Sequence, residues 1–516
     1  MRSIVYCVAV CLVLCGADVA RPDVTLPSIF GSHMVLQRNQ PNRVWGWADP
    51  KESVTVDFAG KTYRTTADDS GAWQIQLEAM KAGGPYVLKV RGKNEQQFDD
   101  VLIGEVWICS GQSNMAFSVG RAYDGDLARY TADFPRIRLI SVPQVGTQEP
   151  QRDFKGNWQV CSSESVGNFS AVGYFFGREL HRALDVPIGL IDNAWGGSAA
   201  EAWVDRPRLE ADPRFKSLLE RWDKTARTFD FEKANAAYKQ RLAKWQEAAR
   251  AARRAAKPVS RRPRPPRNPL TGQHRPANLY NGVLKPTIGY GIRGVIWYQG
   301  ESNASRAAEY RYLFPLMIKA WREDWGEGDF PFYWVQLADF RAEVEQPADS
   351  AWAELREAQT MTMDKLPNTG QAVIIDVGEG RDIHPRNKLT VAKRLARWAL
   401  AKDYGIDVVY RSPQYKSMKV EGNKIRVTFD TFGSKLYSFD TPQPRGFAVA
   451  GEDRKFYWAE AKLQGNDVIV TCPEVPHPVA VRYAWADNPV ANLQNAEGLP
   501  VTPFRTDDWP GVTDGK

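Results

Sequence analysis

Cysteine and histidine are scarce in this chain, with six and five among 516 residues. Cys7, Cys11 and Cys15 fall in the first fifteen residues, leaving Cys109, Cys161 and Cys472. So sparse and odd a set excludes a disulfide framework and allows at most one bridge. There is no CxxC and no HExxH, and the histidines are scattered, so neither a metal nor another cofactor is called for. Long apolar runs are also missing. The one candidate, Ile4 to Cys15, is too short to span a bilayer. Arg2 precedes it, and Gly16, Ala17 and Ala20 follow, which reads as a signal peptide over 1–20 cleaved near Ala17 or Ala20. A lipoprotein signal ending at Cys15 is disfavoured by the bulk of Leu14. The expectation is a secreted or periplasmic protein with no membrane span. Distributed positive charge is lacking too. The net charge is +7, but twelve Lys/Arg against the single acid Glu247 lie between Lys233 and Arg267, and the remainder is slightly acidic. That excludes a broad nucleic-acid face.

What is present is a globular composition, 43% hydrophobic and 25% charged, in a chain too long for one core. Residues 24–100 alternate apolar and polar in short runs, such as Val54–Phe58, Trp73–Leu77 and Tyr86–Val90, and suggest a β-sandwich. Over 101–405 the pattern alternates strands with helices. Predicted strands are Val106–Cys109, Ile137–Val142, Pro187–Asp192, Gly294–Tyr298, Phe332–Leu337 and Ala372–Asp376. Predicted helices are Ala171–Leu184, Tyr310–Trp321 and Lys388–Lys402. This is an α/β unit with a mainly parallel sheet. An insertion at 207–275 interrupts it with two predicted helices, a basic face and an extended Arg/Pro-rich stretch. A solvated helix face and loop account for that charge. Residues 406–512 return to short strands and suggest a second β-sandwich, whose aromatic stretches Phe456–Trp458 and Tyr483–Trp485 suit core packing more readily than sugar stacking.

In parallel sheets ligands bind beyond the carboxyl ends of the strands. Four segments follow predicted strands at that edge: Gly111–Met115, Trp195–Ser198, Gln299–Asn303 and Asp382–Lys388. Ser113 stands at a strand-to-helix turn, where a hydroxyl is either a helix cap or a nucleophile beside free backbone N–H groups. Of the histidines, His384 alone lies just past a strand of the α/β unit, and Asp382 is close enough in sequence to orient it. Oxyanion donors would be the Ser113 N–H, the N–H of Gly196 or Gly197, and the Gln299 side-chain amide. Each residue alone also fits an ordinary turn or scaffold, and their co-occurrence at one edge favours catalysis.

The motifs Ile108-Cys-Ser-Gly-Gln-Ser-Asn-Met115, Asn193-Ala-Trp-Gly-Gly-Ser198, Leu279-Tyr-Asn-Gly282, Gly294-Val-Ile-Trp-Tyr-Gln-Gly-Glu-Ser-Asn-Ala304 and Asp382-Ile-His-Pro-Arg-Asn-Lys388 resemble the sialate O-acetylesterase family. This is a branch of the SGNH (GDSL-like) hydrolases related to bacterial carbohydrate acetylesterases. The resemblance runs from Met34-Val-Leu-Gln37 to Pro503-Phe-Arg-Thr-Asp507. It implies a flavodoxin-like three-layer α/β/α domain flanked by β modules, and metal-free removal of acetyl groups from sugars. Ser113 would be the nucleophile, His384 the base and Asp382 its orienter. Ser113, Gly196 or Gly197, and Gln299 would form the oxyanion hole, with Glu301 and Asn114 supporting.

Two departures stand out. SGNH enzymes in general place the acid three residues before the histidine, a position held here by Arg381, whereas Asp382 is two before, so Asp376, Glu379, Glu301 or a backbone carbonyl are alternative orienters. Gln299 stands where many SGNH enzymes use asparagine, which resembles this particular branch. The basic insertion is richer in Arg and Pro than the family leads one to expect. The expected activity is that of a serine esterase acting on acetylated carbohydrate. A non-catalytic glycan-binding protein would leave Ser113 and His384 without a task, and a glycosidase would need a carboxylate pair such as Glu301 with Asp382 or Glu379.

Overall fold

The computed structural model describes residues 24–515, so the expected signal segment, with Cys7, Cys11 and Cys15, lies outside the described residues. The strand β1 (Glu95–Gly111) runs through the whole architecture. Its first six residues alternate between exposed and half-buried, and every residue from Val101 onward is buried. The surroundings change at that point. The first half pairs antiparallel with Gly83–Arg91 of the N-terminal β module, and a one-sided sheet alternates. The second half enters the central sheet, where both faces are covered. The boundary expected at residue 100 therefore falls inside one continuous strand.

The other central strands are β2 (Phe134–Ser141), β3 (Ile188–Asp192), β4 (Gly294–Tyr298), β5 (Phe332–Val335) and β6 (Thr369–Ala372). Their order is β6-β5-β4-β1-β3-β2, all parallel, with the short strand Gln159–Cys161 antiparallel at the edge. The chain progresses to one side of β1 through β2 and β3, then crosses to β4 on the other side. Its carboxyl end is thus the switch point of the sheet, where a crevice opens.

The period-two alternation of side chains sorts these strands into two cores. Val106, Ile108, Trp297 and Trp334 face a core shared with α4 (Ala307–Trp325) and α5 (Ala351–Lys365), and Trp107, Cys109, Tyr298 and Tyr333 face one shared with α1 (Ala171–Leu184) and α6 (Lys388–Lys402). The sheet is therefore covered by helices on both faces. The insertion forms α2 (Lys216–Thr228) and α3 (Phe231–Arg254), as its apolar spacing predicts. The residues of α1, β4 and α6 are those the pattern predicts.

One strand differs. Ladder pairing stops at Ala372, short of the predicted Ala372–Asp376. Val373 and Ile375 turn into the core of the C-terminal β module, while Ile374 between them stays in the core shared with α1 and α6, so the run is buried from two sides without a ladder partner. The C-terminal module holds two four-stranded sheets and a two-stranded one. Arg356 of α5, fully buried, ties it down by donating to the carbonyls of Leu337 and Ala338 on one side and Ala486 and Asp487 on the other. Cys109, Cys161 and Cys472 are buried and free, so the single bridge that the sequence allows is not formed. Among the described residues no helix is long and apolar enough to cross a membrane.

Gly111 closes β1 with φ +130°, and a Cβ there would stand 2.2 Å from the Tyr298 carbonyl oxygen. Gly111→Ala should therefore cost about 3 kcal/mol or more, combining left-handed strain with overpacking. A urea-unfolding midpoint equal to wild type would show that β1 and β4 can separate without penalty.

Candidate active site

The close approach at Gly111 aims the chain into the crevice. The Gln112 N–H donates to the Tyr298 carbonyl at 2.8 Å, and the N–H groups of Met115 and Ala116 return to the Gln112 carbonyl at 2.9 and 3.0 Å. Ser113 thus sits in a tight turn. The α-helix expected to start there does not form, since a 3₁₀ turn (Val119–Arg121) and a six-residue helix follow instead. The turn is fixed from α1, where the Ser170 hydroxyl donates to the Met115 carbonyl at 2.6 Å and accepts the Gly173 N–H as helix cap. Free N–H groups near Ser113 therefore come from turn geometry, not from a helix dipole.

His384 Nε2 lies 2.8 Å from Ser113 Oγ. Asp382 accepts the His384 backbone N–H at 2.9 Å, and its carboxylate stands 3.4 Å from Nδ1. The alternative orienters are engaged elsewhere. Asp376 is clamped by Arg394 at 2.6 Å, Glu379 holds the Arg386 N–H at 2.8 Å, and Glu301 accepts from Asn114 at 2.6 Å. Among the described carboxylates weighed for this place, Asp382 alone reaches the imidazole. Burial holds His384 below its ordinary pKa, against the opposing pull of Asp382, while Lys388 and Arg121 add to the lowering. The His384 backbone N–H in turn holds the Asp382 carboxyl below the usual range.

The glycine turn after β3 lies beside the serine. A Cβ on Gly196 would stand 3.4 Å from the Ser113 Cβ, and Gly197 has φ +73°. The backbone N–H groups of Ser113, Gly196 and Gly197 donate to no other described residue. Gln299 departs from expectation. It is fully buried, and its amide donates to the Ser198 carbonyl at 3.0 Å and to Asn303 at 2.7 Å, while its oxygen accepts from Tyr310 at 3.0 Å. With both amide protons engaged in this arrangement, Gln299 braces the glycine turn.

Three segments meet at Asn114. Its amide donates to Glu301 at 2.6 Å and to the Ile383 carbonyl at 2.9 Å, and its oxygen accepts from Lys388 Nζ at 2.6 Å. Lys388 is fully buried, and burial pushes it down to about 7 against the pull of Glu301. Burial likewise raises Glu301. The bridging part played by Lys388 was not legible in sequence, where it looks like the first residue of a helix. Its one cue is an ammonium at i+4 from a candidate base.

A hydroxyl with an imidazole at hydrogen-bond distance, beside unpaired N–H groups at the switch point of a parallel sheet, is the equipment of an ester hydrolase. The signature of carbohydrate esterases described as sialic acid-specific acetylesterases matches residues 103–252 and 274–399. The chain belongs to that family, and is a carboxylic ester hydrolase. The interval that the match skips is the Arg/Pro-rich end of the insertion. The chain is 30% identical to rat sialate O-acetylesterase, with 92% of this chain and 93% of the relative covered. It is 28% identical to the human protein, with 94% and 93% covered. It is also similar to the crystal structure of a carbohydrate acetylesterase from Xanthomonas citri, with TM-score 0.80, 39% identity, and 94% and 100% covered.

Asn114→Ala would strand a buried ammonium and a carboxylate at once. The expected cost is about 3 kcal/mol, read as a lowered urea midpoint at unchanged slope. A midpoint like wild type would mean that the three segments hold their places without it.

Proposed function

We propose that this protein removes O-acetyl groups from sugars through an acyl-enzyme on Ser113. The observation that carries the reading is the 2.8 Å contact between Ser113 Oγ and His384 Nε2. In this mechanism Oγ attacks the acetyl carbonyl and its proton passes to Nε2. The tetrahedral oxyanion is met by the N–H groups of Ser113 and of Gly196 or Gly197. Collapse expels the sugar hydroxyl, protonated by His384. Water, deprotonated by the same nitrogen, then attacks the acetyl-serine, and acetate leaves as Ser113 is restored. Asp382 keeps the proton on Nδ1, so that Nε2 faces the hydroxyl as an acceptor.

The similarity to sialate and carbohydrate acetylesterases supports an acetylated sugar as substrate. We further read the central unit as a flavodoxin-like three-layer domain. Its strand order without the edge strand β2 is that of the flavodoxin class, and helices cover both faces. We read the flanking modules as sandwiches, and the N-terminal segment as an export signal that N-terminal sequencing of the mature protein would reveal as cleaved.

Ser113→Ala should lower kcat/KM for aryl acetates and acetylated sugars at least about a thousandfold. An alanine variant with wild-type turnover would remove the serine from the mechanism. The base must be neutral to act, so activity is lost as pH falls through the His384 pKa. Because burial lowers that pKa, the acid limb of kcat/KM should lie below the ordinary value of about 6.5. A limb above it would contradict the assignment. Asp382→Asn should cost about tenfold to a hundredfold in kcat, less than a fully buried orienter would, because Asp382 is 58% exposed. An unchanged kcat would return the orienting role to a backbone carbonyl.

A further inference from the structure

We propose that Arg121 is a specificity determinant of this site, receiving the carboxylate of an acidic sugar whose acetyl ester lies at Ser113. The inference rests on the esterase reading and adds the residue that would select its substrate. Arg121 ends the 3₁₀ turn Val119–Arg121, a few residues past the serine. Its guanidinium carbon stands 4.4 Å from the centroid of Phe117. The Phe117 ring, itself buried, lies 6.4 Å from the His384 imidazole at an interplanar angle of 22°. Two ring contacts therefore tie the guanidinium to the base.

Three other cations around the crevice are already occupied. Arg386 lies on Tyr123 and pairs with Glu379, Arg394 is held by Asp376, and Lys388 is buried on Asn114. Arg121 is exposed and pairs with no carboxylate among the described residues. Arg381 is also exposed, but no ring contact fixes it to the site. The charge of Arg121 is felt by His384, Asp382 and Lys388 alike, which places it on the same crevice.

A guanidinium laid on an aromatic face keeps its N–H edge free, and its planar fork matches a carboxylate bidentately. Stacking on Phe117 orders the side chain before substrate arrives, which removes part of the entropic cost of binding. A carboxylate is the group that separates sialic and uronic acids from neutral acetylated sugars. The geometry thus provides for one anionic group beside the reacting ester.

The experiment compares kcat/KM for matched pairs: O-acetylated N-acetylneuraminic acid against its methyl ester, and an O-acetylated methyl glucuronoside against its methyl ester. Wild type should favour the free acid in at least one pair by about tenfold or more, the scale of a charge-assisted hydrogen bond. The pair that shows the preference identifies the source of the carboxylate. In R121Q the ratio should fall to near one, and in R121K it should lie between. A wild-type ratio near one in both pairs overturns the proposal, as does a wild-type ratio in R121Q. If R121Q fails to fold, the wild-type ratios and R121K decide. Aryl acetate hydrolysis by wild type and Ser113→Ala is run alongside. Its Ser113-dependence with no acid preference removes this inference alone, whereas its absence removes the esterase reading beneath it.

Discussion

The approach of Gly111 to the Tyr298 carbonyl sets the geometry on which the crevice depends. Two parallel strands at ordinary spacing would carry β1 past the sheet edge in the direction it was going. Here a residue without a Cβ lets the backbone turn at φ +130° against its neighbour, and the next N–H is captured by that same carbonyl. The hydroxyl of Ser113 is thereby delivered two residues beyond the strand, between the turn after β3 and the turn after β4. Every other contact of the site is measured from that point. The Trp195 N–H and the Ser198 hydroxyl both bind the Gly111 carbonyl, at 3.0 and 3.2 Å, so the glycine turn takes its position from the same residue.

Around this fixed point the structure solves a problem of charge. The segments bearing Ser113, Glu301 and His384 come from distant parts of the chain and need a joint that is polar enough to be specific and buried enough to be firm. Asn114 supplies it, with a carboxylate on one side and an ammonium on the other. Neither ion could be left alone in such surroundings. Burial shifts Glu301 up and Lys388 down, so both are driven toward their neutral forms while the amide bridges them. A hydrogen-bonded joint of this kind persists whichever of the two carries the proton.

The sequence made the elements legible where one physical signal dominated. Strands buried on both faces appear as apolar runs, and α1 and α6 appear as helical segments between strand and turn signals. Function was legible where residue type alone limits the choice, as with five histidines of which one lies at the right edge. Legibility failed where the answer depends on partners far away in sequence. Gln299 has the chemistry of an oxyanion donor, and only its contacts with Ser198, Asn303 and Tyr310 show that both amide protons are taken. Val373–Asp376 has the composition of a strand, but Val373 and Ile375 are buried by another module and only Ile374 by the central unit's own core. The doubt over the orienter came from a spacing rule. In space Asp376, Glu379 and Glu301 have partners of their own, and the Asp382 carboxylate stands 3.4 Å from Nδ1.

The guanidinium that would recognise an anionic sugar is also one of the charges that set the base. Lys388 and Arg121 both lower the affinity of His384 for its proton, and Asp382 raises it. A site with the cations alone would hold a neutral but weakly basic imidazole. A site with the carboxylate alone would hold a stronger base, more of it protonated in mildly acidic surroundings. With both present, and burial the largest influence, the imidazole pKa lies below its ordinary value while Asp382 remains as a partner for an imidazolium. An anionic substrate carboxylate bound at Arg121 would offset one of the lowering charges, so the acidic sugar would make the base stronger as it docks. Recognition and proton transfer would thereby be coupled through one guanidinium, and a neutral sugar in the same crevice would meet the weaker base.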